Sequence, residues 1–298
     1  MDKWVFLNGE FVPCEQAHVH IYDHGFLYGD GAFEGIRAYN GRAFKLAEHV
    51  DRLYNSLKAL WIDLPYGREQ FAANIEKLLE MNEVKDGYIR VTVTRGVALG
   101  LDPKNITGQP TVVISTDKLS LYPKSMYENG LEVVTVATRV ANPHVLEPRI
   151  KSLGKYLCNI QAKIEANQVG AGEGLMLTED GYVAECTGDN VFYAKNGVVY
   201  TPPAYLGILE GITRQTAMDL LTQMGIPVEE KVFTRFDLYT SDESFLTGTA
   251  AEVVPMVKLD ARVIGDGKPG PITKKLEQAF RDYVENYNAR DSKGGSNR

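Results

Sequence analysis

Between Tyr88 and Thr94 the residues Ile89, Val91 and Val93 alternate strictly with Tyr88, Arg90, Thr92 and Thr94. A two-residue period of this kind fits a strand with one buried face and excludes a helix over the same span. Two stretches of helical period precede it. Val50, Leu53, Tyr54, Leu57, Leu60 and Trp61 recur at helix spacing over Glu48–Trp61, and Phe71, Ile75, Leu78 and Leu79 share one side of a second helix from about Glu69 to Asn82. Upstream, Trp4–Leu7, the turn Asn8-Gly9, then Phe11 and Val12 predict a hairpin. Thr111–Ser115 and Leu131–Val140 are predicted strands, and Leu153, Leu157, Ile160 and Ile164 mark a helix. Short β runs follow to Tyr200, then a helix from about Ile212 to Met224, strands between Val228 and Val257, and a last helix over Ile272–Tyr287. Strands and helices mix without a regular βαβ rhythm, so the expected class is α+β with two domains. The polar, turn-prone stretch around Tyr122-Pro123-Lys124-Ser125 is the expected linker. The expected division is a small domain over 1–120, a linker over 121–130, a large domain over 131–290 and a disordered tail over 291–298.

At 298 residues with 44% apolar content the chain can build a full core, and its formal charge of −7 argues against a nucleic-acid partner. The three cysteines, Cys14, Cys158 and Cys186, are scattered and odd in number. They form neither a disulfide framework nor a metal spacing, so no metal is expected and a reducing compartment is. The N-terminus lacks the apolar core of a signal peptide, and no run approaches the roughly 20 apolar residues of a membrane span. A soluble, cytoplasmic protein is expected. Neither Gly-x-Gly-x-x-Gly nor a Gly-Lys-Ser/Thr loop occurs, which removes two common nucleotide-binding readings.

Chemistry concentrates in Glu185-Cys186-Thr187-Gly188-Asp189-Asn190-Val191-Phe192 and, downstream, Leu209-Glu210-Gly211-Ile212-Thr213-Arg214. The first places a carboxylate after a short apolar segment and before a turn. The second bends through Gly211 into a helix start, where unpaired N–H groups and the positive end of the helix dipole can hold an anion. A carboxylate that keeps a pyridine nitrogen protonated and a helix end that receives a phosphate suit pyridoxal 5'-phosphate. That cofactor also needs a lysine, and Arg149-Ile150-Lys151-Ser152-Leu153-Gly154-Lys155-Tyr156-Leu157 offers two, Lys151 and Lys155, between which spacing does not choose.

The spacing from Glu185 through Asn190, Thr201 and Leu209 to Arg214 resembles the class IV aminotransferase signature. Tyr28-Gly29-Asp30-Gly31-Ala32-Phe33-Glu34-Gly35-Ile36-Arg37-Ala38-Tyr39 resembles a motif of the branched-chain amino acid aminotransferases. The resemblance runs from Trp4 to Lys275. It implies the two-domain fold type IV, with a smaller N-terminal α/β sandwich and a larger pyridoxal-phosphate-binding pseudo-barrel. It assigns Lys151 as the Schiff-base lysine and Tyr156 as the partner of the ring hydroxyl, and leaves Lys155 as a helix-surface residue. Glu185 then faces the ring nitrogen and Leu209 the ring plane. The phosphate falls to Ile212, Thr213, Thr249 and Arg52, although Arg52 lies off the apolar stripe of its helix. Ala250 offers its backbone to the substrate carboxylate. Phe33 and Tyr28 are implied to line an apolar side-chain pocket, with Arg37, Tyr88 and Arg90 at its polar edge and Leu101 supplied by a partner subunit.

The expected reaction is transamination of L-leucine, L-isoleucine and L-valine with 2-oxoglutarate, in a homodimer or higher homo-oligomer with shared active sites. D-Amino-acid and (R)-amine transaminases and aminodeoxychorismate lyase share the fold. The D-specific pattern places an Arg and a His soon after Gly96, where this chain has Val97-Ala98-Leu99-Gly100-Leu101-Asp102. The lyase usually lacks the Phe-Glu-Gly-Ile-Arg run.

Overall fold

The computed structural model describes residues 4–118 and 122–294, with side chains described to 287. The chain forms two compact units. One comprises Met1–Leu119, Ile150–Gly154 and Val284–Arg298, and the other Ser120–Arg149 with Lys155–Tyr283.

In the first unit the strands are β1 (Trp4–Leu7), β2 (Glu10–Pro13), β3 (Gly31–Tyr39), β4 (Arg42–Ala43), β5 (Gly87–Thr94) and β6 (Thr111–Asp117), and the helices are α1 (His24–Tyr28), α2 (Leu46–Ala59) and α3 (Arg68–Met81). The strands make one antiparallel sheet in the order β2-β1-β6-β5-β3-β4. The alternation in β5 does what it predicts. Ile89, Val91 and Val93 are buried, alongside Ile36 of β3 and Ile114 of β6, against Leu53 and Leu57 of α2 and Phe71, Ile75, Leu78 and Leu79 of α3. The expected end of α2 is too late: the helix stops at Ala59, Leu60 is its C-cap, and Trp61 is left-handed at φ 57°. Ile62 N–H donates back to the Leu57 carbonyl, which turns the chain and leaves the Trp61 ring 89% exposed.

The second unit contains α4 (Lys124–Asn129), β7 (Leu131–Arg139), α5 (Tyr156–Gln168), β8 (Glu173–Leu177), β9 (Val183–Cys186), β10 (Asn190–Lys195), β11 (Val198–Thr201), α6 (Ile212–Gln223), β12 (Val228–Glu230), α7 (Arg235–Tyr239), β13 (Glu243–Gly248), β14 (Glu252–Leu259), β15 (Arg262–Val263) and α8 (Pro271–Gly294), whose end falls in the first unit. Its sheet runs β12-β11-β10-β13-β14-β7-β8-β9, and β9 pairs back onto β10. Six strands therefore close into a ring, and the pair that closes it is Glu185 opposite Asn190.

Two expectations need correction here, and one helix packs against its apolar pattern. The described part of the expected linker over 121–130 is not a free connection: Tyr122 is buried and Met126 and Tyr127 of α4 pack on the same apolar core. The expected disordered tail over 291–298 begins as helix, since α8 reaches Gly294, and 295–298 lie outside the described residues. The apolar stripe that marks α5 faces outward, with Leu157, Ile160 and Ile164 all at least half exposed. Its inward face is Asn159, Ala162 and Ala166, continued one turn earlier by Lys155. Small residues there let the helix backbone approach β7 and β8, so close packing outweighs the pull of the apolar stripe in setting the helix's rotation.

Candidate active site

The face of β3 and β5 turned away from α2 and α3 carries Phe33, Gly35 and Arg37 opposite Thr92, Arg90 and Tyr88. Gly35 is there because Tyr88 lies across it: a Cβ would stand 1.9 Å from the Tyr88 hydroxyl oxygen. Arg90 holds its guanidinium 3.7 Å from the centre of the Phe33 ring, and Lys151 brings Nζ to 5.1 Å from the same ring. Lys151 is fixed through its backbone. Phe33 N–H donates to the Lys151 carbonyl at 3.0 Å, Leu153 N–H to Gly31 at 2.9 Å, and Ser152 bridges Ala32. Arg37 lies over the Tyr39 ring. Burial raises the Tyr88 hydroxyl above its ordinary value against the opposing charge of Arg90, so it stays protonated. Tyr28, at the end of α1, accepts a hydrogen bond from Gly100 N–H of the 97–103 loop, whose Leu99 and Leu101 are 68% and 79% exposed.

Behind this face Glu34 shares the core-facing register of β3 with Ala32, Ile36 and Ala38 and is 1% exposed. Arg52 donates to it from Nε and Nη2 at 2.7 Å each, and His49 Nδ1 at 2.8 Å. Burial alone would raise the Glu34 carboxyl, but the Arg52 charge and the hydrogen bonds override it and hold it well below the carboxylate range. The same ion pair explains why Arg52 can lie off the apolar stripe of α2 without being solvated.

In the second unit, Glu185 is 5% exposed at the barrel closure. Its Oε1 accepts from Lys155 Nζ at 3.0 Å, and its Oε2 from Leu209 N–H at 2.8 Å and Asn190 Nδ2 at 3.4 Å. Lys155 also donates to the Pro148 carbonyl at 3.1 Å and is 2% exposed. It is therefore not the helix-surface residue expected, because the only stable place for its charge on the inward face of α5 is against a carboxylate. Tyr156 opens α5 beside it, with its ring centre 5.9 Å from Lys155 Nζ.

Two loops are set by the turn after β9. Asn190 donates to the Leu209 carbonyl at 2.9 Å and its Oδ1 packs where a Cβ on Gly211 would be 2.1 Å away. Asp189 does the same to Gly248, at 1.9 Å. Gly211 caps α6 without any side-chain hydrogen bond, leaving Ile212 and buried Thr213 at the helix start, while Thr249 and Ala250 follow Gly248 and are half-buried. Beneath the turn, Tyr122 donates to Glu173 and Asp189, both at 3.2 Å. Burial, with the Glu173 charge beside it, pushes the Asp189 carboxyl up to about 7.

Each unit thus assembles its own share of the residues singled out from sequence. Lys151, Phe33, Arg90, Tyr88, Arg37 and Arg52 cluster in the first, and Tyr156, Glu185, Leu209, Ile212, Thr213, Thr249 and Ala250 belong to the second. The chemistry of the donor set fits pyridoxal 5'-phosphate: a buried, doubly supported carboxylate for a ring nitrogen, and an uncapped helix start with threonine hydroxyls for a phosphate. Glu34, His49, Asp189 and the partnering of Lys155 were missed. Glu34 had a readable signal, a carboxylate on the apolar register of a strand. Among the described residues, no His/Cys/Asp/Glu cluster could hold a metal and no helix is long and apolar enough to cross a membrane.

The amino-transferase class IV family model matches residues 31–259. A putative branched-chain-amino-acid aminotransferase of Methanocaldococcus jannaschii is 48% identical over 279 residues, 93% of this chain and 95% of that protein. A D-alanine aminotransferase of Bacillus licheniformis is 35% identical, over 94% of this chain and 96% of that protein. A solved T.th. branched-chain amino acid aminotransferase matches at a TM-score of 0.91 in its structure with pyridoxamine 5'-phosphate and 0.89 in its complex with N-(5'-phosphopyridoxyl)-L-glutamate. Both structures are 35% identical and cover 95% of this chain and 94% of theirs. With the family model spanning most of the chain and the α+β architecture matched along with it, the chain belongs to the class IV aminotransferases and has their two-domain fold.

Proposed function

We propose that the chain transfers the amino group of L-leucine, L-isoleucine or L-valine to 2-oxoglutarate, giving branched-chain 2-oxo acids and L-glutamate, with pyridoxal 5'-phosphate as cofactor. The observation that carries this reading is the Phe33 ring flanked by Lys151 and Arg90. It sets an apolar surface beside a reactive amine and a guanidinium, as a pocket must when it takes an aliphatic side chain in one half-reaction and a γ-carboxylate in the other.

When bound, pyridoxal 5'-phosphate supplies an electron-withdrawing ring that stabilises negative charge at the substrate Cα. The chain's own residues do the rest. Lys151 Nζ would hold the cofactor, and its amine would serve as the base and acid that moves the substrate Cα proton. Glu185 would keep the proton on the ring nitrogen, Tyr156 would hydrogen-bond the ring hydroxyl and Leu209 would pack on the ring. Ile212, Thr213, Thr249 and Arg52 would hold the phosphate. Ala250 N–H receives the substrate carboxylate, with Phe33 and Tyr28 around its side chain and Arg37, Tyr88 and Arg90 at the polar rim.

The exposed Leu99 and Leu101 favour a homo-oligomer in which this loop completes a neighbour's pocket. The Bacillus licheniformis relative supports a second reading, transamination of D-amino acids. Initial rates on L-valine, L-isoleucine, L-leucine, D-alanine and (R)-1-phenylethylamine with 2-oxoglutarate decide between them. Turnover confined to the D-amino acid or the amine would overturn the branched-chain reading.

A further inference from the structure

Lys155 is the least expected charge in the molecule. A lysine that is 2% exposed must be neutralised by a partner, and this one lies 3.0 Å from Glu185 Oε1 with a second bond to the Pro148 carbonyl. The opposite oxygen of Glu185 is taken by Leu209 N–H and Asn190 Nδ2. The carboxylate is thereby gripped from both sides, its plane fixed between α5 on one side and the Leu209 segment on the other. Its remaining charged and titratable surroundings are unhelpful to it. Asp189, in the turn after β9, and Cys186, its neighbour in β9, both interact electrostatically with it, and Glu173 stands behind them with Lys163 on its far side. Among these groups only Lys155 touches Glu185 with a positive charge.

We propose that Lys155 is a positioning residue for the transamination chemistry: it holds the Glu185 carboxylate ionised and oriented toward the cofactor's ring nitrogen, and does not itself bind the cofactor. The inference rests on the proposed roles of Glu185 and Lys151, and it assigns the two lysines of the Ile150–Tyr156 segment to separate tasks. Lys151 is anchored through β3 of the first unit, whereas Lys155 is committed to a carboxylate of the second. Without the lysine, Glu185 Oε1 would lose its charged donor, and the carboxylate would keep only Leu209 N–H and Asn190 Nδ2 on its other oxygen. Its Oε1 would no longer be fixed, and a carboxylate free to turn away from the ring nitrogen would no longer favour a protonated ring.

The test compares wild type, Lys155→Met, Lys155→Arg, Glu185→Gln and the double variant Lys155→Met/Glu185→Gln, each loaded with pyridoxal 5'-phosphate. Borohydride reduction and peptide mapping of the wild type should place the cofactor on Lys151. Lys155→Met should keep the visible cofactor band and the substrate KM while its single-turnover rate falls by about tenfold or more. Lys155→Arg should restore most of that rate, and the Met substitution should have no further kinetic effect when Glu185 is already Gln. In the cofactor-free protein, urea unfolding of the cycle formed by wild type, the two single variants and their double should give a coupling of about tenfold or more in the unfolding constant. If Lys155→Met does not fold, Lys155→Gln takes its place in every arm. Labelled Lys151 with an unchanged single-turnover rate in Lys155→Met overturns the inference and leaves the proposed function standing. Label on Lys155 overturns both the positioning role and the assignment of Lys151, and a wild type that takes up no cofactor overturns the proposed function with it.

Discussion

Replacing Glu34 by Gln tests how the first unit holds its arginine. The carboxylate accepts three charge-assisted hydrogen bonds, two from Arg52 at 2.7 Å and one from His49 at 2.8 Å, and the two side chains of the closest contact are 1% and 13% exposed. The substitution keeps the shape but removes the negative charge that faces a largely buried guanidinium. Stranding one partner of a buried pair costs about 3–5 kcal/mol, a large share of a domain's total stability of about 5–15 kcal/mol. Urea unfolding of the cofactor-free protein followed by tryptophan fluorescence is the assay, since both tryptophans, Trp4 and Trp61, lie in the first unit. Arg52→Met should add little on top of Glu34→Gln, because the interaction is already gone. The pH dependence gives a second check. Glu34 sits below its ordinary value of 4.5 in the folded state, so its contribution is present above that value and is lost as pH falls below it. His49 is lowered from 6.5 by burial, against the opposing pull of Glu34, so the unfolded chain protonates first and stability also falls from about 6.5 downward. In Glu34→Gln the loss below 4.5 should flatten. A cost under about 1 kcal/mol, the range of exposed ion pairs, would refute the reasoning.

Three further outcomes follow from the site. Asp189, held up to about 7 from an ordinary 3.8, contributes stability that is full below 3.8 and lost as pH rises through 7. Asp189→Asn should remove that slope in urea titrations between about pH 4 and 8, and an unchanged slope would place the proton elsewhere. Gly211→Ala should cost about 1–3 kcal/mol in the same unfolding assay, because Asn190 Oδ1 would stand 2.1 Å from the new Cβ; a cost under about 0.5 kcal/mol would mean that the Asn190 side chain yields freely. Arg90→Met should slow the half-reaction with L-glutamate more than that with L-leucine in stopped-flow single turnovers, and equal losses would make Arg90 a structural residue.

Much of the architecture was legible because it rests on local periods. The alternation of Tyr88–Thr94 sets both faces of the first sheet, the one against α2 and α3 and the one carrying Arg90 and Tyr88. The spacing of Phe71, Ile75, Leu78 and Leu79 places α3 with its buried side correct. What was not legible depends on partners far away in the chain. Burial of Lys155 is decided by a carboxylate 30 residues later, and the rotation of α5 by the closeness of β7 and β8 to Ala162 and Ala166. Local apolar spacing therefore identifies α5 as a helix without giving the side that faces in. The stretch over 121–130 reads as polar, yet its few aromatic residues, Tyr122 and Tyr127, are enough to fold it onto the second core. Closure of the barrel at Glu185 and Asn190 is a pairing that no single-strand pattern encodes.

The way Asn190 and Asp189 fill the space beside Gly211 and Gly248 constrains the order in which this chain can accept change. Neither glycine needs an unusual backbone, as neither is among the positive-φ positions; each is held small by a neighbour's oxygen. A larger residue at Gly211 or Gly248 becomes tolerable only after the side chain of Asn190 or Asp189 has shortened. Shortening Asn190 first removes a donor from Glu185 and from the Leu209 carbonyl. A route that begins at Asn190 therefore passes through a weakened protein. Gly211 is thus tied to residue 190 and Gly248 to residue 189, so a larger residue at either glycine should be accepted only together with a change at its own partner.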